Sequence, residues 1–162
     1  MKTFLIILSV VVVLALVIGS VFFYMSKQPM YKPGMVSVGE NLSGPLEPPA
    51  QAQGSNDWQV ETEVLLSYFS EGTGTSVLVI HGGPGMPFTE PAKGLSLLSD
   101  EYQFYYYAQR GSGDSTRPID RFDSKNTYQN MKTLDRTLGI GAQIADIERI
   151  RQILDEEQLI LV

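Results

Sequence analysis

The chain has 162 residues, of which 43% are hydrophobic and 19% charged, a composition typical of one globular domain. A formal net charge of -6 with scattered basic residues argues against a nucleic-acid partner, because binding to a phosphate backbone needs clustered Lys and Arg. The chain contains no Cys, which excludes a disulfide framework and a thiolate metal site.

Residues 1–26 predict a single transmembrane helix. Positions 4–24 carry no charge, and about 20 apolar residues at about 1.5 Å rise cross a hydrocarbon core of about 30 Å. A cleaved signal peptide is the alternative, although its apolar core usually has about 7–15 residues and ends at an A-x-A-like site. Lys2 opposes Lys27 and Lys32 across the span, so charge determines the orientation only weakly. We expect the body to lie outside the cytoplasm, or to be secreted if the N-terminus is cleaved.

Residues 27–57 are rich in Pro, Gly, Ser and Gln, which predicts a solvated linker that holds a domain off the membrane. Alternatively, the stretch "GPLEPPA" could be a ligand motif that a proline-binding module recognises. The folded domain is expected over residues 58–162.

Strand patterns dominate the first half of this domain. Alternating apolar and polar residues from Trp58 predict antiparallel strands with one solvent-exposed face. The continuous apolar run "SVLVIHGG" predicts a central strand of a parallel sheet. A third strand is expected in "YQFYYYAQRG". The intervening residues 88–101 are long enough for a short helix, although Pro91 and Gly94 weaken it. Strand, helix and strand in that order imply a right-handed parallel crossover and an α/β fold.

The strongest helical pattern lies in residues 139–157. Its apolar positions recur at helical spacing, and its charged residues, Asp146 and Arg149 among them, fall mostly off that stripe. The stripe comprises Ile140, Ile144, Ile147, Ile150 and Leu154. The helix is therefore expected to pack on the sheet. Residues 158–162, "QLILV", predict a further buried strand, and the abrupt end after it predicts a chain cut within a longer fold.

Two glycine-rich loops follow predicted strands. "HGGPG", residues 81–85, ends one strand, and "YAQRGSGDS", residues 107–115, closes the next strand about 25 residues later. Carbonyl chemistry at the edge of a parallel sheet needs backbone N–H groups aimed at an oxyanion, and a loop with few side chains lets a substrate approach them. A phosphate-binding loop fits less well, because neither G-x-x-x-x-G-K-[ST] nor G-x-G-x-x-G is present.

These two loops resemble those of α/β-hydrolases, and their amino-acid sequences are similar to those of the proline iminopeptidase group. The resemblance covers roughly residues 60–162 and implies the N-terminal part of a three-layer α/β-hydrolase sheet. It implies that Gly83, or alternatively Gly82, donates a backbone N–H to the oxyanion, and that loop-supporting roles fall to the other motif residues. Those are His81, Pro84, Gly85, Gln109, Arg110 and Gly111.

Two departures from the family pattern stand out. The family usually has an acid before Gln-Arg-Gly, where this chain has Ala108, so any substrate contact made by that acid is lost. We expect Arg110 to brace its loop through backbone carbonyls. The family's nucleophile elbow, G-x-S-x-G, does not occur in the 162 residues, and the family's histidine base comes late in the chain, so His81 is expected to be structural.

The resemblance implies the N-terminal fragment of a membrane-tethered serine hydrolase that releases an N-terminal residue, proline, from peptides. A small peptide or ester is the expected substrate, with no cofactor and no metal, since a single His cannot fill a metal site. Another α/β-hydrolase, an esterase or epoxide hydrolase, is the alternative, as is a catalytically inactive membrane-anchored protein. The fragment alone is expected to be inactive.

Overall fold

The computed structural model describes residues 2–26, 44–82 and 85–162. The chain divides into two compact units, Met1–Ser37 and Val38–Val162. In the first unit, helix α1 (Lys2–Ser26) contains an apolar stretch, Ile6–Tyr24, with mean hydropathy 3.1. By length and composition this stretch could cross a membrane or act as a signal sequence.

The second unit is built on a five-stranded mixed sheet. The strands, in chain order, are β1 (Asp57–Glu61), β2 (Val64–Gly72), β3 (Thr75–Val79), β4 (Tyr102–Tyr107) and β5 (Ile160–Leu161). Their spatial order is β1-β2-β4-β3-β5. The first two pairings, β1 with β2 and β2 with β4, are antiparallel, whereas β3 runs parallel to both β4 and β5. The predicted α/β fold, with "SVLVIHGG" in the parallel part of the sheet, is confirmed.

Both faces of the sheet are covered by apolar side chains, as expected for a continuous apolar strand. On one face Leu78 and Tyr107 pack with Trp58 and with Ile150 from helix α3 (Ile140–Ile153). On the other face Val77, Val79, Phe104 and Tyr106 pack with partly buried Ala92 and Leu95.

The connection between β3 and β4 does not form the predicted short helix. It contains only a single 3-10 turn, Ser96–Leu98. Pro91 lacks a backbone donor and Gly94 has low helix propensity, and both precede this turn. The crossover therefore covers its face of the sheet largely with irregular chain.

Helix α2 (Thr127–Leu138) was not predicted, although its apolar residues recur at helical spacing, and none of its residues is buried. The helix begins at a side-chain cap, where Asn126 Oδ1 accepts hydrogen bonds from the backbone N–H groups of Tyr128 and Gln129 at 3.0 and 3.3 Å. Gly139 joins α2 to α3, and a Cβ at that position would lie 2.1 Å from the Asp135 carbonyl oxygen. The tight junction between the helices therefore requires glycine.

Helix α3 lies where the pattern predicts it, but its buried face differs from the predicted stripe. Ile140 is 75% exposed, whereas Asp146 and Arg149 are fully buried. Ile140 is the first residue of the helix, next to the junction with α2, so it extends beyond the sheet contact. The small side chains of Ala142 and Ala145 are also fully buried. Asp146 and Arg149 lie off the predicted stripe and are nevertheless buried, because each has charged partners in the interior.

The described part of the predicted linker contacts the sheet unit. The carbonyl oxygen of Pro45 accepts hydrogen bonds from Arg149 Nε and Nη2 at 3.0 and 2.8 Å. The side-chain amide of Gln51 pairs with the backbone N–H and carbonyl of Gln59, both at 2.9 Å. Residues 44–56 are thus attached to the domain rather than free in solvent, while residues 27–43 of the predicted linker lie outside the described residues.

The last predicted strand forms as β5 but is not buried. Val162 N donates to the Leu78 carbonyl at 3.1 Å, and Ile80 N donates to the Val162 carbonyl at 2.7 Å. Ile160, Leu161 and Val162 are nevertheless 44, 50 and 56% exposed, because within the described chain β5 pairs with β3 alone.

Candidate functional site

The two glycine-rich loops meet at one edge of the sheet. Because β3 and β4 are parallel, with Val79 paired with Tyr106, their carboxyl ends point the same way, and the loops that leave them emerge side by side. Ligands of open α/β sheets bind at this carboxyl edge. The loops are therefore in the position that a substrate site of this architecture requires.

The second loop, residues 108–116, is fastened to β2. Ser115 Oγ donates to the Ala108 carbonyl at 2.6 Å and accepts from Ser67 N at 2.9 Å. Thr116 N donates to the Leu65 carbonyl, and Leu65 N donates to Thr116 Oγ1, at 2.9 and 3.0 Å. The loop thus extends the pairing of β2 past the end of β4, and its backbone is held at several points.

Glycines let the two loops touch. Gly111 and Gly113 have φ of 83° and 50°, a region that L side chains rarely adopt. A Cβ on Gly113 would lie 3.0 Å from Pro87 Cγ and 3.2 Å from Ala108 Cβ. The close approach of Pro87, two residues after the first loop, to the second loop therefore depends on a missing side chain at position 113.

His81 joins the two loops by hydrogen bonds. Gln109 N donates to His81 Nε2 at 3.0 Å, so Nδ1 carries the ring proton and donates to the Gly82 carbonyl at 2.9 Å. Ser112 Oγ lies 3.3 Å from the same Nε2. With 3% of its surface exposed and both nitrogens engaged, His81 has the contacts of a structural residue rather than of a general base.

The glycines proposed as oxyanion donors are described only in part. Gly82 is exposed, and a Cβ there would meet nothing within 4 Å, so a substrate could approach its backbone. Gly85 has φ of 79°, which favours glycine in this turn. Gly83 and Pro84 lie outside the described residues.

Arg110 is held in a buried cluster of ion pairs. Its guanidinium donates to both oxygens of Asp146, from Nε at 2.6 Å and from Nη2 at 2.5 Å. Nη2 also lies 2.9 Å from Glu61 Oε1, and Nη1 lies 3.3 Å from the Thr137 carbonyl. The expected bracing by carbonyls thus accounts for one contact only, since carboxylates hold the rest of this side chain.

Arg149 completes this cluster, since its Nη1 lies 2.9 Å from Asp146 Oδ1 and 3.0 Å from Glu61 Oε1. Burial alone would lower the pKa of Arg110, but hydrogen bonds and charge from Asp146 and Glu61 outweigh it and raise that pKa above its ordinary value. Burial raises the pKa of Asp146, and the two arginines oppose that rise. The cluster joins β1, α3 and the second loop.

A groove of about 320 Å³ opens beside the two loops. Its lining comes from β2, β4, the second loop and residues 87–89, which follow the first loop: Ser67, Tyr68, Phe69, Pro87, Phe88, Thr89, Tyr106, Ala108, Gly113 and Asp114. A larger cavity of about 550 Å³ lies along residues 44–49 and 60–63, and its lining includes neither loop.

Comparison with known proteins identifies the family. The family model described as alpha/beta hydrolase fold matches residues 75–162. The chain belongs to the alpha/beta hydrolase fold family. The crystal structure of a mutant meta-cleavage product hydrolase (CumD) is similar, with a TM-score of 0.39 and 24% sequence identity. That match covers 62% of this chain and 32% of the hydrolase, so the chain spans about a third of the length of that protein.

In this alpha/beta hydrolase chain, His81 joins the Gly82 carbonyl to Gln109 N, and the nucleophile-elbow motif G-x-S-x-G is absent from the 162 residues. Within the described ranges, no group of three or more His, Cys, Asp or Glu side chains is placed to hold a metal ion.

Sequence reasoning missed Asp146, Arg149 and Glu61 as supports of the second loop. One signal was available: Asp146 and Arg149 are three residues apart, so they lie on one face of a helix whose neighbouring positions are Ala and Ile. Glu61 gave no such signal, because its role depends on the fold bringing β1 beside α3.

Proposed function

We propose that this chain contributes the oxyanion-hole loop of a membrane-tethered serine hydrolase that resembles proline iminopeptidase. The proposed reaction releases an N-terminal proline from a peptide through a serine ester. The backbone N–H of Gly83, or of Gly82, donates to the oxygen that becomes negative in the tetrahedral intermediate. The nucleophile, acid and base of this reaction come from outside the 162 residues, and helix α1 supplies the tether.

The contact between the loops through His81 carries this proposal. An oxyanion hole works because its donors are held in place before the reaction begins. The Gly82 carbonyl accepts from His81 Nδ1, and His81 Nε2 accepts from Gln109 N. This bond holds the backbone carbonyl of Gly82, one of the two proposed donor residues, against the second loop. A loop that served only as a tight turn would not need this second anchor.

The experiment is to sequence the coding DNA beyond the codon for Val162 and to assay the 162-residue chain beside any longer form. Substrates are L-proline naphthylamide and a simple p-nitrophenyl ester. We expect the longer form to contain G-x-S-x-G and to cleave the prolyl substrate. We expect no turnover by the 162-residue chain. A stripped triad leaves about 10³–10⁴-fold catalysis over water only when the rest of the site is present.

The outcomes separate the alternatives. A longer form that cleaves only esters or epoxides would replace the aminopeptidase proposal with another activity of the same fold. An absence of any in-frame continuation with the motif would favour an inactive membrane-anchored protein. Turnover by the purified 162-residue chain, blocked by a serine-directed inhibitor, would contradict the proposal and direct attention to Ser96, Ser112 and Ser115.

A further inference from the structure

Residues 44–51, here called the strap, are fastened to the sheet by a few polar contacts. The Pro45 carbonyl accepts from Arg149, and the side-chain amide of Gln51 exchanges two hydrogen bonds of 2.9 Å with the backbone of Gln59. None of the strap residues is buried, and a cavity of about 550 Å³ is lined by the strap and by the end of β1. Segments with few buried contacts open at a low cost in free energy. The strap is therefore expected to detach more readily than the sheet unfolds.

Arg149 connects the strap to the buried ion cluster. Its Nε and Nη2 donate to the Pro45 carbonyl at 3.0 and 2.8 Å. Its Nη1 lies 2.9 Å from Asp146 Oδ1 and 3.0 Å from Glu61 Oε1. The Arg149 side chain is fully buried, and a guanidinium is planar and rigid. One rigid group thus holds the strap with two of its nitrogens and two carboxylates with the third.

Arg110 uses the same two carboxylate oxygens. Its Nη2 lies 2.5 Å from Asp146 Oδ1 and 2.9 Å from Glu61 Oε1. A buried charged donor that loses an acceptor carries a desolvation penalty. If the Pro45 carbonyl leaves, the guanidinium of Arg149 draws more strongly on the two shared oxygens. Release of the strap therefore weakens the contacts that hold Arg110.

Arg110 follows Gln109, the residue that contacts the first glycine-rich loop. Gln109 N donates to His81 Nε2 at 3.0 Å, and His81 Nδ1 donates to the Gly82 carbonyl at 2.9 Å. Because Gln109 and Arg110 are adjacent, a displacement of Arg110 also moves the backbone of Gln109. An unbroken series of contacts therefore runs from the strap to the backbone of Gly82.

We propose that the strap sets the position of the first glycine-rich loop, with Arg149 as the positioning residue between them. With the strap attached, Arg110, Gln109 and His81 keep the contacts that hold the Gly82 carbonyl. With the strap released, the loop loses that preorganisation. This inference rests on the proposed function for the role of the loop as an oxyanion hole, whereas the contacts do not depend on that role.

Gly44 allows the strap to be displaced without a change in the ion cluster. Its φ is 77°, and a Cβ there would lie 3.3 Å from Arg149 Nη2, so Gly44→Ala pushes the strap away from the guanidinium. Gly54 is the matched control: its φ is 72°, but a Cβ there meets nothing within 4 Å. Gly54→Ala therefore brings the same backbone strain without that contact. Gly44→Asn is a milder second variant, because Asn adopts positive φ more readily than Ala.

The test uses NMR of the full chain, labelled with ¹⁵N and held in detergent micelles. We expect hydrogen exchange of the Gln109 amide to rise about fivefold to thirtyfold in Gly44→Ala, because weakened hydrogen bonds shift local opening by such factors. The ¹⁵N shifts of the two His81 ring nitrogens should move closer together, since loss of the Gln109 contact lets the ring exchange tautomers. Gly54→Ala should leave both signals unchanged.

The fluorescence of buried Trp58 shows whether each variant is folded. If Gly44→Ala does not fold, Gly44→Asn carries the test with the same expected changes. A strap that only adds stability would lower the unfolding midpoint in the Gly44 variants and leave the His81 signals unchanged.

Two results would overturn the proposal: an exchange rate at Gln109 that rises less than fivefold in the folded Gly44 variant with unchanged His81 signals, or an equal response in Gly54→Ala. The outcome is separable from that of the proposed function. If a longer form fails to cleave prolyl substrates while the Gly44 variant still alters His81, the strap stands and the reaction is wrong. If the Gly44 and Gly54 variants of a longer form cleave prolyl substrates with equal kcat and unchanged His81 signals, the reaction stands and the strap proposal is wrong.

Discussion

Replacing Asp146 by Asn tests the buried ion cluster beneath the second loop. The substitution keeps the size of the side chain but removes the negative charge that Arg110 and Arg149 share at 2.5–2.9 Å. Asp146 and Arg149 are fully buried and Arg110 is 6% exposed, so water cannot replace the lost carboxylate. Of the described carboxylates that pair with these arginines, Glu61 remains, and its side chain is 33% exposed.

The expected cost follows from that burial. Removing one partner of a buried ion pair costs about 3–5 kcal/mol, a large part of a typical free energy of unfolding of about 5–15 kcal/mol. For a domain of this size the midpoint of thermal unfolding should fall by roughly 10–20 °C. The matched control is Glu148→Gln, on the same helix. Its ion pair with Arg151 is 2.7 Å long and solvent-accessible, so its loss should cost much less than that of the buried pair.

Fluorescence of the only tryptophan provides the assay. Trp58 is 3% exposed and stacks on Tyr68 at 4.0 Å, so its emission reports unfolding of the sheet unit and not of helix α1. Urea and thermal unfolding are followed for the full chain and both variants in the same detergent. If Asp146→Asn costs less than about 1 kcal/mol, or no more than Glu148→Gln, the cluster does not hold the loop and the reasoning is wrong.

Two further predictions concern the membrane and pH. If helix α1 is an uncleaved anchor, the intact chain should stay in the membrane pellet after a carbonate wash, and an intact chain in the supernatant would contradict this. Burial raises the pKa of Tyr105, Tyr106 and Tyr107 above the ordinary value of about 10. Their contribution to stability is complete below about pH 10 and is lost as the pH rises further, because the unfolded chain then releases protons that the folded chain retains. Trp58 unfolding curves at pH 8 and pH 11 check this, and equal stability at both would refute it.

Periodicity predicted the centre of the fold well. The run from Val77 to Val79 alternates between two covered faces, and this explains why no polar position interrupts it. The glycines after the strands were equally informative, because positive φ at Gly85, Gly111 and Gly113 leaves few other residues possible. The backbone conformation of these glycines and the burial of the apolar strand could therefore be predicted from the sequence. The role of Gly83 as an oxyanion donor stays a prediction.

Burial of charge could not be predicted in the same way. Hydrophobic periodicity assigns a charged residue to solvent, and that assignment fails for Asp146 because its partner Arg110 lies 36 positions earlier in the chain. Only the fold brings the two together. Helix α2 was missed although its apolar residues, Tyr128, Met131, Leu134 and Leu138, recur at helical spacing and Asn126 caps its start.

The most direct measurement of the central claim is a crystal structure of a form of the protein that carries the nucleophile, covalently bound to a serine-directed phosphonate. The phosphonyl oxygen stands in for the oxyanion of the tetrahedral intermediate. We expect it to lie about 2.7–3.1 Å from the backbone nitrogen of Gly83, or of Gly82, with His81 still bonded to Gln109 N and to the Gly82 carbonyl. A phosphonyl oxygen held by other groups, with neither glycine nitrogen within hydrogen-bonding distance, would contradict the account.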